Sequence, residues 1–198
     1  MQRDLGDWRT ACHEAGHVLA NFFLGFRTSK VSIIPASDSL GRVTQWKKRM
    51  QSRDFIESAR NAIFYDRATS AKIARWHDEV VALLAGGAAE RLLAPNPNIR
   101  SGMSRDLDSI YDLLLRIYPE NEARHVFKWL QARTKNMVSD RVHREMIRDL
   151  ATALISKREM SGQEGIALLR DSFDKATLPP ALRSQLSFSP KRPRTGNR

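Results

Sequence analysis

A mainly α-helical domain with one small β ribbon is the fold class this sequence predicts, and three observations lead to it. Apolar residues recur three and four apart over most of the chain, the spacing of helices with one face on a core. Short β-branched runs occur together in one place, residues 30–35 and 42–46. With 198 residues, 41% hydrophobic and 28% charged, the chain can bury a core of its own, which excludes wholesale disorder.

In chain order, Asp7 is a helix N-cap before Trp8, and the helix runs to about Leu24, with Gly25 as its stop. Its apolar stripe is Ala11, Ala15, Val18, Leu19, Phe22 and Phe23. Residues 30–35 form a strand closed by Pro35. Residues 36–41 are turn-rich and residues 42–46 form a second strand, giving an antiparallel ribbon with an open edge along residues 30–35. Residues 53–93 read as helix, continuous or in two pieces meeting near Thr69 and Ser70. Residues 80–90 are apolar nearly all round, as in a buried helix. Pro95 and Pro97 break it, and 99–102 is loop. Ser104 opens a helix through Ile110, Leu113, Leu114 and Ile117, which Pro119 interrupts. Residues 120–133 and 137–157 are further amphipathic helices, and Ser161 with Glu164 is a capping box for a last one. No internal repeat is present.

The net charge is +11, from 33 Lys and Arg against 22 Asp and Glu. Residues 181–198 hold five of the cations and no acid, which leaves 28 against 22 elsewhere. The reading is therefore one domain over residues 1–172 and a basic, disordered tail over 173–198. Lys and Arg in the body are scattered among acids, so nucleic acid is not the expected partner. The longest apolar stretch, residues 18–26, contains Asn21 and is too short to cross a bilayer. Residues 1–10 are too charged for a secretory leader, and the lone Cys12 fits a reducing, cytoplasmic location.

The chemistry is carried by His13-Glu14-Ala15-Gly16-His17. Residues four apart on a helix share a face, so both imidazoles reach one ion. Glu14, one step round, is placed to hold a metal-bound water without being a ligand. Zinc lowers the pKa of that water from about 15.7 to about 7, and Glu14 takes its proton and passes it to the leaving amine. Gly16 costs about 1 kcal/mol in a helix relative to alanine unless close packing needs it. A catalytic zinc needs a third protein ligand, and none follows His17 at short range. Glu90, Asp106, Asp108, Asp112, His77, His125 and His143 are the candidates, and composition does not choose between them. Cys12 reads as a small buried hydrophobe, the three other histidines as exposed, and Trp46, Trp76 and Trp129 as packing residues.

Three separated blocks make the sequence resemble the peptidase domain of FtsH-type, membrane-anchored AAA+ zinc proteases. They are residues 13–17; Val31-Ser32-Ile33-Ile34-Pro35 with Leu40-Gly41-Arg42-Val43-Thr44; and Leu84-Ala85-Gly86-Gly87-Ala88-Ala89-Glu90 with Ser101-Gly102-Met103-Ser104-Arg105-Asp106-Leu107. The resemblance covers about residues 8–118. It implies a zincin-like helical metallopeptidase domain with the ribbon beside the active-site helix. It also implies one zinc on His13, His17 and Asp106, and Glu14 as base. Glu90 falls on a family carboxylate that supports the site without being the usual third ligand, and Asp108 and Asp112 fall on solvated helix faces. The chain departs from the family at Gly87, Arg105 and Ala36-Ser37, none of which is a proposed ligand.

No phosphate-binding loop of the ATPase type occurs in the 198 residues. The expected function is thus an ATP-independent zinc endopeptidase acting on flexible or unfolded polypeptide. It would work alone or with a separate delivery or ATPase partner, as a monomer or modest homo-oligomer. An extended substrate would add to the open edge of residues 30–35. The alternative is a non-catalytic module of the same fold that acts by binding protein or, as the lesser branch, nucleic acid; against it stands Glu14, a base that a structural metal site does not need.

Overall fold

The computed structural model describes residues 2–35, 41–45, 67–94 and 104–178. Among these residues, six helices and three short strands follow in the order α1 (Gln2–Leu24), β1 (Thr28–Ser32), β2 (Arg42–Gln45), α2 (Arg67–Leu93), α3 (Ser104–Ile117), α4 (Glu120–Ser139), α5 (Arg141–Lys157), β3 (Glu159–Ser161) and α6 (Gly162–Thr177). The mainly helical class with a small antiparallel sheet is as expected. Among the described residues no helix is long and apolar enough to cross a membrane.

α1 begins five residues before its expected cap. Asp7 lies within the helix, and its carboxylate pairs with Arg158 rather than with the first-turn amides. The far end is as expected: Gly25 sits at φ 71°, and Phe26 N–H donates to Asn21 O at 2.8 Å, closing the helix with a left-handed residue. Arg75 donates to the carbonyls of Leu24 and Gly25 at 2.5 and 3.3 Å and lies over the Phe26 ring.

The sheet order is β2-β1-β3, so β1 is central and the predicted open edge along residues 30–35 does not exist. β3 fills it. Lys30, Val31 and Ser32 pair with Ser161, Met160 and Glu159, and Ile33 N–H donates to Arg158 O at 2.9 Å. Three residues flanked by charge carry no strand signal of their own. They become a strand because the turn at Arg158 (φ 67°) delivers them beside β1. Val31, Val43 and Met160 align across the sheet and face the core. The outer edges of β2 and β3 have no strand partner among the described residues.

α2 runs unbroken through Thr69 and Ser70; residues 53–66 of the expected helix lie outside the described residues, as do 95–103. The expected break between residues 133 and 137 falls instead at Asp140. Thr134 and Val138 continue α4, and the Asp140 side chain accepts from Val142 and His143 N–H at 2.9 and 3.1 Å. Nothing in residues 134–136 breaks a helix, whereas aspartate is among the best N-caps. Asp140→Ala should cost about 1 kcal/mol by denaturant unfolding. The amide of His143 above all holds the Asp140 carboxyl below its ordinary value. This contribution is therefore present above the unfolded-state pKa and fades as pH falls through the lower folded-state one. Equal stability losses at neutral and strongly acidic pH would contradict that assignment.

α6 carries both arms of the expected capping box and continues to Thr177, past residue 172, with Ser172 and Ala176 buried. Residues 179–198 lie outside the described residues. Two apolar clusters form the interior. One joins α1, β1, α5 and α6 to one side of α2; the other joins α2, α3 and α4. Gly16 lets α1 and α2 touch: a Cβ there would lie 2.5 Å from Ala85 O and 2.7 Å from Ala89 Cβ. That close approach is the packing reason for a glycine inside a helix.

Candidate metal centre

Three elements converge at the face where α1 meets α2. α1 supplies His13, Glu14 and His17, α2 supplies Ala82, Gly86 and Glu90, and the first turn of α3 supplies Asp106. His13 and His17 sit one turn apart on α1, their rings edge to face with centroids 4.8 Å apart. The facing side of α2 is bare at Gly86, where a Cβ would lie 2.4 Å from His17 Nε2 and 2.8 Å from His13 Cδ2. The imidazoles occupy the room a side chain at residue 86 would take.

Each ring is held from behind. His17 Nδ1 lies 2.7 Å from Ala82 O, and a carbonyl only accepts, so Nδ1 carries the proton. His13 Nδ1 lies 3.3 Å from Glu90 Oε2, while Arg9 donates to Glu90 Oε1 through Nε and Nη2 at 3.1 and 2.7 Å. Burial alone would raise the Glu90 carboxyl, but the hydrogen bonds from His13 and Arg9 hold it below its ordinary value. It therefore accepts from His13 Nδ1. Both Nε2 lone pairs then turn inward, toward Asp106 Oδ2.

The inward atoms form a triangle: His13 Nε2 to His17 Nε2 is 3.1 Å, His13 Nε2 to Asp106 Oδ2 3.2 Å, and His17 Nε2 to Asp106 Oδ2 3.5 Å. Three acceptors at that separation repel one another unless a cation lies among them. Ligands bound tetrahedrally at 2.0–2.2 Å stand about 3.4 Å apart, so the triangle matches three ligands of zinc. The donor set, two imidazoles and one carboxylate, is also zinc chemistry. Without a metal a proton meets the same demand. Burial pushes His13 down, but Asp106, Glu90 and Glu14 more than offset this and push it up to about 10. Burial likewise works against the Asp106 carboxylate, yet His13 and His17 hold it far below the usual carboxylate range.

Glu14 is 5% exposed and contributes no atom to the triangle. Its carboxylate lies against Gly41, where a Cβ would come within 2.7 Å of Oε1, at the start of β2. Burial pushes this carboxyl up, against the pull of His17 and His13. A raised carboxyl next to three groups that could hold a metal suits a group that takes and returns a proton.

Of the residues singled out in the sequence, His13, His17 and Asp106 are brought together, Glu14 is beside them, and Glu90 holds His13 from outside. Asp108 and Asp112 are exposed, the latter paired with Arg116. His125 is exposed, but His77 and His143 are half-buried, contrary to expectation. His77 stacks on Tyr118 and bonds its hydroxyl at 2.8 Å, and His143 bonds Met137 O at 2.7 Å across the α4–α5 turn. Trp76 is buried as expected, and Trp46 is outside the described residues. Trp129, also expected to pack, sets its ring edge to face on His77 of α2, centroids 5.4 Å apart, while 52% of it stays exposed. Cys12 is fully buried, its thiol pushed up to about 12 mainly by that burial.

Arg9, Gly86 and the Ala82 carbonyl were not read from the sequence. Arg9 is four residues before His13, on the same helix face, which is a signal; a carbonyl partner leaves none. Arg9→Met and Glu90→Gln should each weaken zinc binding about 10–100-fold, as loss of a group that orients a ligand does. Competition with a chromophoric chelator measures this, and unchanged affinity in both would remove the pair from the site. No protein-family model matches this chain, and no curated protein matches it in sequence.

Proposed function

We propose that this chain is a zinc-dependent endopeptidase that cuts flexible or unfolded polypeptide. The observation that carries the reading is the triangle of inward acceptors on His13, His17 and Asp106, with a buried carboxylate beside it that is not a ligand. A purely structural zinc is closed by four protein ligands, whereas three, the number found among the described residues, leave a position open. The resemblance to FtsH-type peptidase domains supports the same assignment.

His13, His17 and Asp106 would hold the ion. Zinc bound there supplies a Lewis acid that polarises water and a peptide carbonyl. Glu14 accepts the proton of the attacking water and returns it to the departing amine, so its carboxylate is unchanged after each turnover. Arg9 and Glu90 keep the His13 ring in its working tautomer, and Ala82 O does the same for His17. The outer edge of β2, unpaired among the described residues, begins beside Gly41 and therefore beside Glu14. Main-chain pairing there draws an extended substrate past the base. The earlier placement on the edge of residues 30–35 is not available, because β3 covers it.

The test is metal content by plasma mass spectrometry, with hydrolysis of casein measured alongside. The expected result is about one zinc per chain, and casein cleavage that chelation stops and zinc restores. Asp106→Ala should weaken zinc binding by more than about a hundredfold, since even outer partners cost 10–100-fold. Affinity should fall as pH falls, because protons compete for His13. A wild type that takes up no zinc after reconstitution would leave the binding module as the better reading.

A further inference from the structure

A groove of about 530 Å³ runs between α2 and α4, on the side of α2 turned away from the metal centre. Its α2 wall carries Leu84, Ala88 and Leu92, and Ala132 and Val138 line the α4 wall. At 100° per residue these α2 positions lie opposite Ala82, Gly86 and Glu90. Leu92 is 39% exposed, a large apolar side chain at the rim.

The polar part of the lining has one sign. Lys128 and Lys135 stand on the α4 wall and Arg91 on the α2 wall, and no acidic side chain is among the lining residues. Neither lysine makes an ion pair with a described residue. Seven residues separate them, which is two turns or about 10.5 Å along α4. The walls span residues 84–92 and 128–139, or about 12 and 16 Å. Two to three turns of a third helix fill that length, and Ala88 and Ala132 allow its backbone close approach.

We infer that this groove docks an acidic amphipathic helix of a partner protein. Its apolar residues, three and four apart, lie on Ala88, Leu92 and Ala132, with the buried Leu84 and Val138 as the floor beneath them. Carboxylates on its flank, two turns apart, meet Lys128 and Lys135. The excess of basic over acidic residues in the whole chain adds attraction for such a partner at long range. The tail over residues 181–198 has the wrong charge to be the occupant. This inference does not depend on the metal or on catalysis, so either can fail without the other. Occupancy would place a partner against the helix that carries Glu90, which suits delivery of substrate.

The probe is a fluorescein-labelled helical peptide with leucines three and four apart, flanked by glutamates, followed by anisotropy on the full chain. Saturable binding is expected. It should weaken about tenfold or more with Lys128→Glu and Lys135→Glu together, and likewise with Ala132→Trp, which blocks the groove from its α4 wall. A lysine-flanked version of the peptide should then bind the double variant in preference to the wild type. No binding of the acidic peptide, or binding indifferent to these substitutions, would overturn the inference. So would phosphatidylglycerol vesicles binding through the two lysines where the peptide does not. Cross-links from a photoreactive residue at position 132 to residues 46–66 would also overturn it, by showing that the chain fills its own groove.

Discussion

Glu14→Gln is expected to lower peptide hydrolysis by about a thousandfold while the protein keeps its zinc, the range in which removal of a general acid–base group falls. Glutamine has nearly the shape of glutamate, so it fits the space against Gly41 and Thr10 that Glu14 occupies. What it loses is the capacity to accept a proton and give it back. The ligand triangle contains no Glu14 atom, so zinc stoichiometry should stay near that of the wild type. The two readouts together make the result informative. Activity lost with zinc retained assigns Glu14 to the chemistry. Activity retained would exclude it as the base, and loss of both would make it part of the metal's support.

Gly86→Ala should have an effect nearly as large through a different route. No ligand is changed, yet a Cβ at this position would lie 2.4 Å from His17 Nε2, 2.7 Å from His17 Cε1 and 2.8 Å from His13 Cδ2. Either the rings turn, which breaks the 2.7 Å contact of His17 Nδ1 with Ala82 O, or α1 and α2 separate across Gly16. Both take the three acceptors out of register. Zinc affinity should fall by at least about tenfold, at the level of losing an orienting partner, while far-ultraviolet circular dichroism stays helical. Alanine has the better helix propensity by about 1 kcal/mol, so any loss must come from the crowded contact. Unchanged affinity would mean that the histidines do not need the bare helix face.

Legibility in the sequence followed how local each interaction is. The histidine pair was visible because four residues on one helix make one face. The capping box of α6 was visible because its two reciprocal bonds lie within four residues. The end of α1 was visible because Gly25 takes a left-handed conformation. The start of α1 was misplaced for the complementary reason: Asp7 is a good cap locally, but its carboxylate is committed to Arg158, 151 residues away. β3 was missed because three residues have no period. Residues 30–35 read as a free strand edge for substrate because the strand that covers them, β3, is remote in the chain.

Periodicity and a five-residue motif were enough to give the helical class and to single out His13, His17 and Glu14 for the proposed site. Residue spacing left the third ligand open among seven candidates, and the choice of Asp106 came from family resemblance. Only the tertiary structure brings Asp106 to 3.2 Å from His13, 93 residues away, and sets Glu90 and Arg9 behind it. It does so through the contact of α1 with α2, which needs glycine at 16 and 86 and buries the rings with their outer N–H groups satisfied. Burial and long-range approach are properties of packed helices, and no local stretch of chain encodes them.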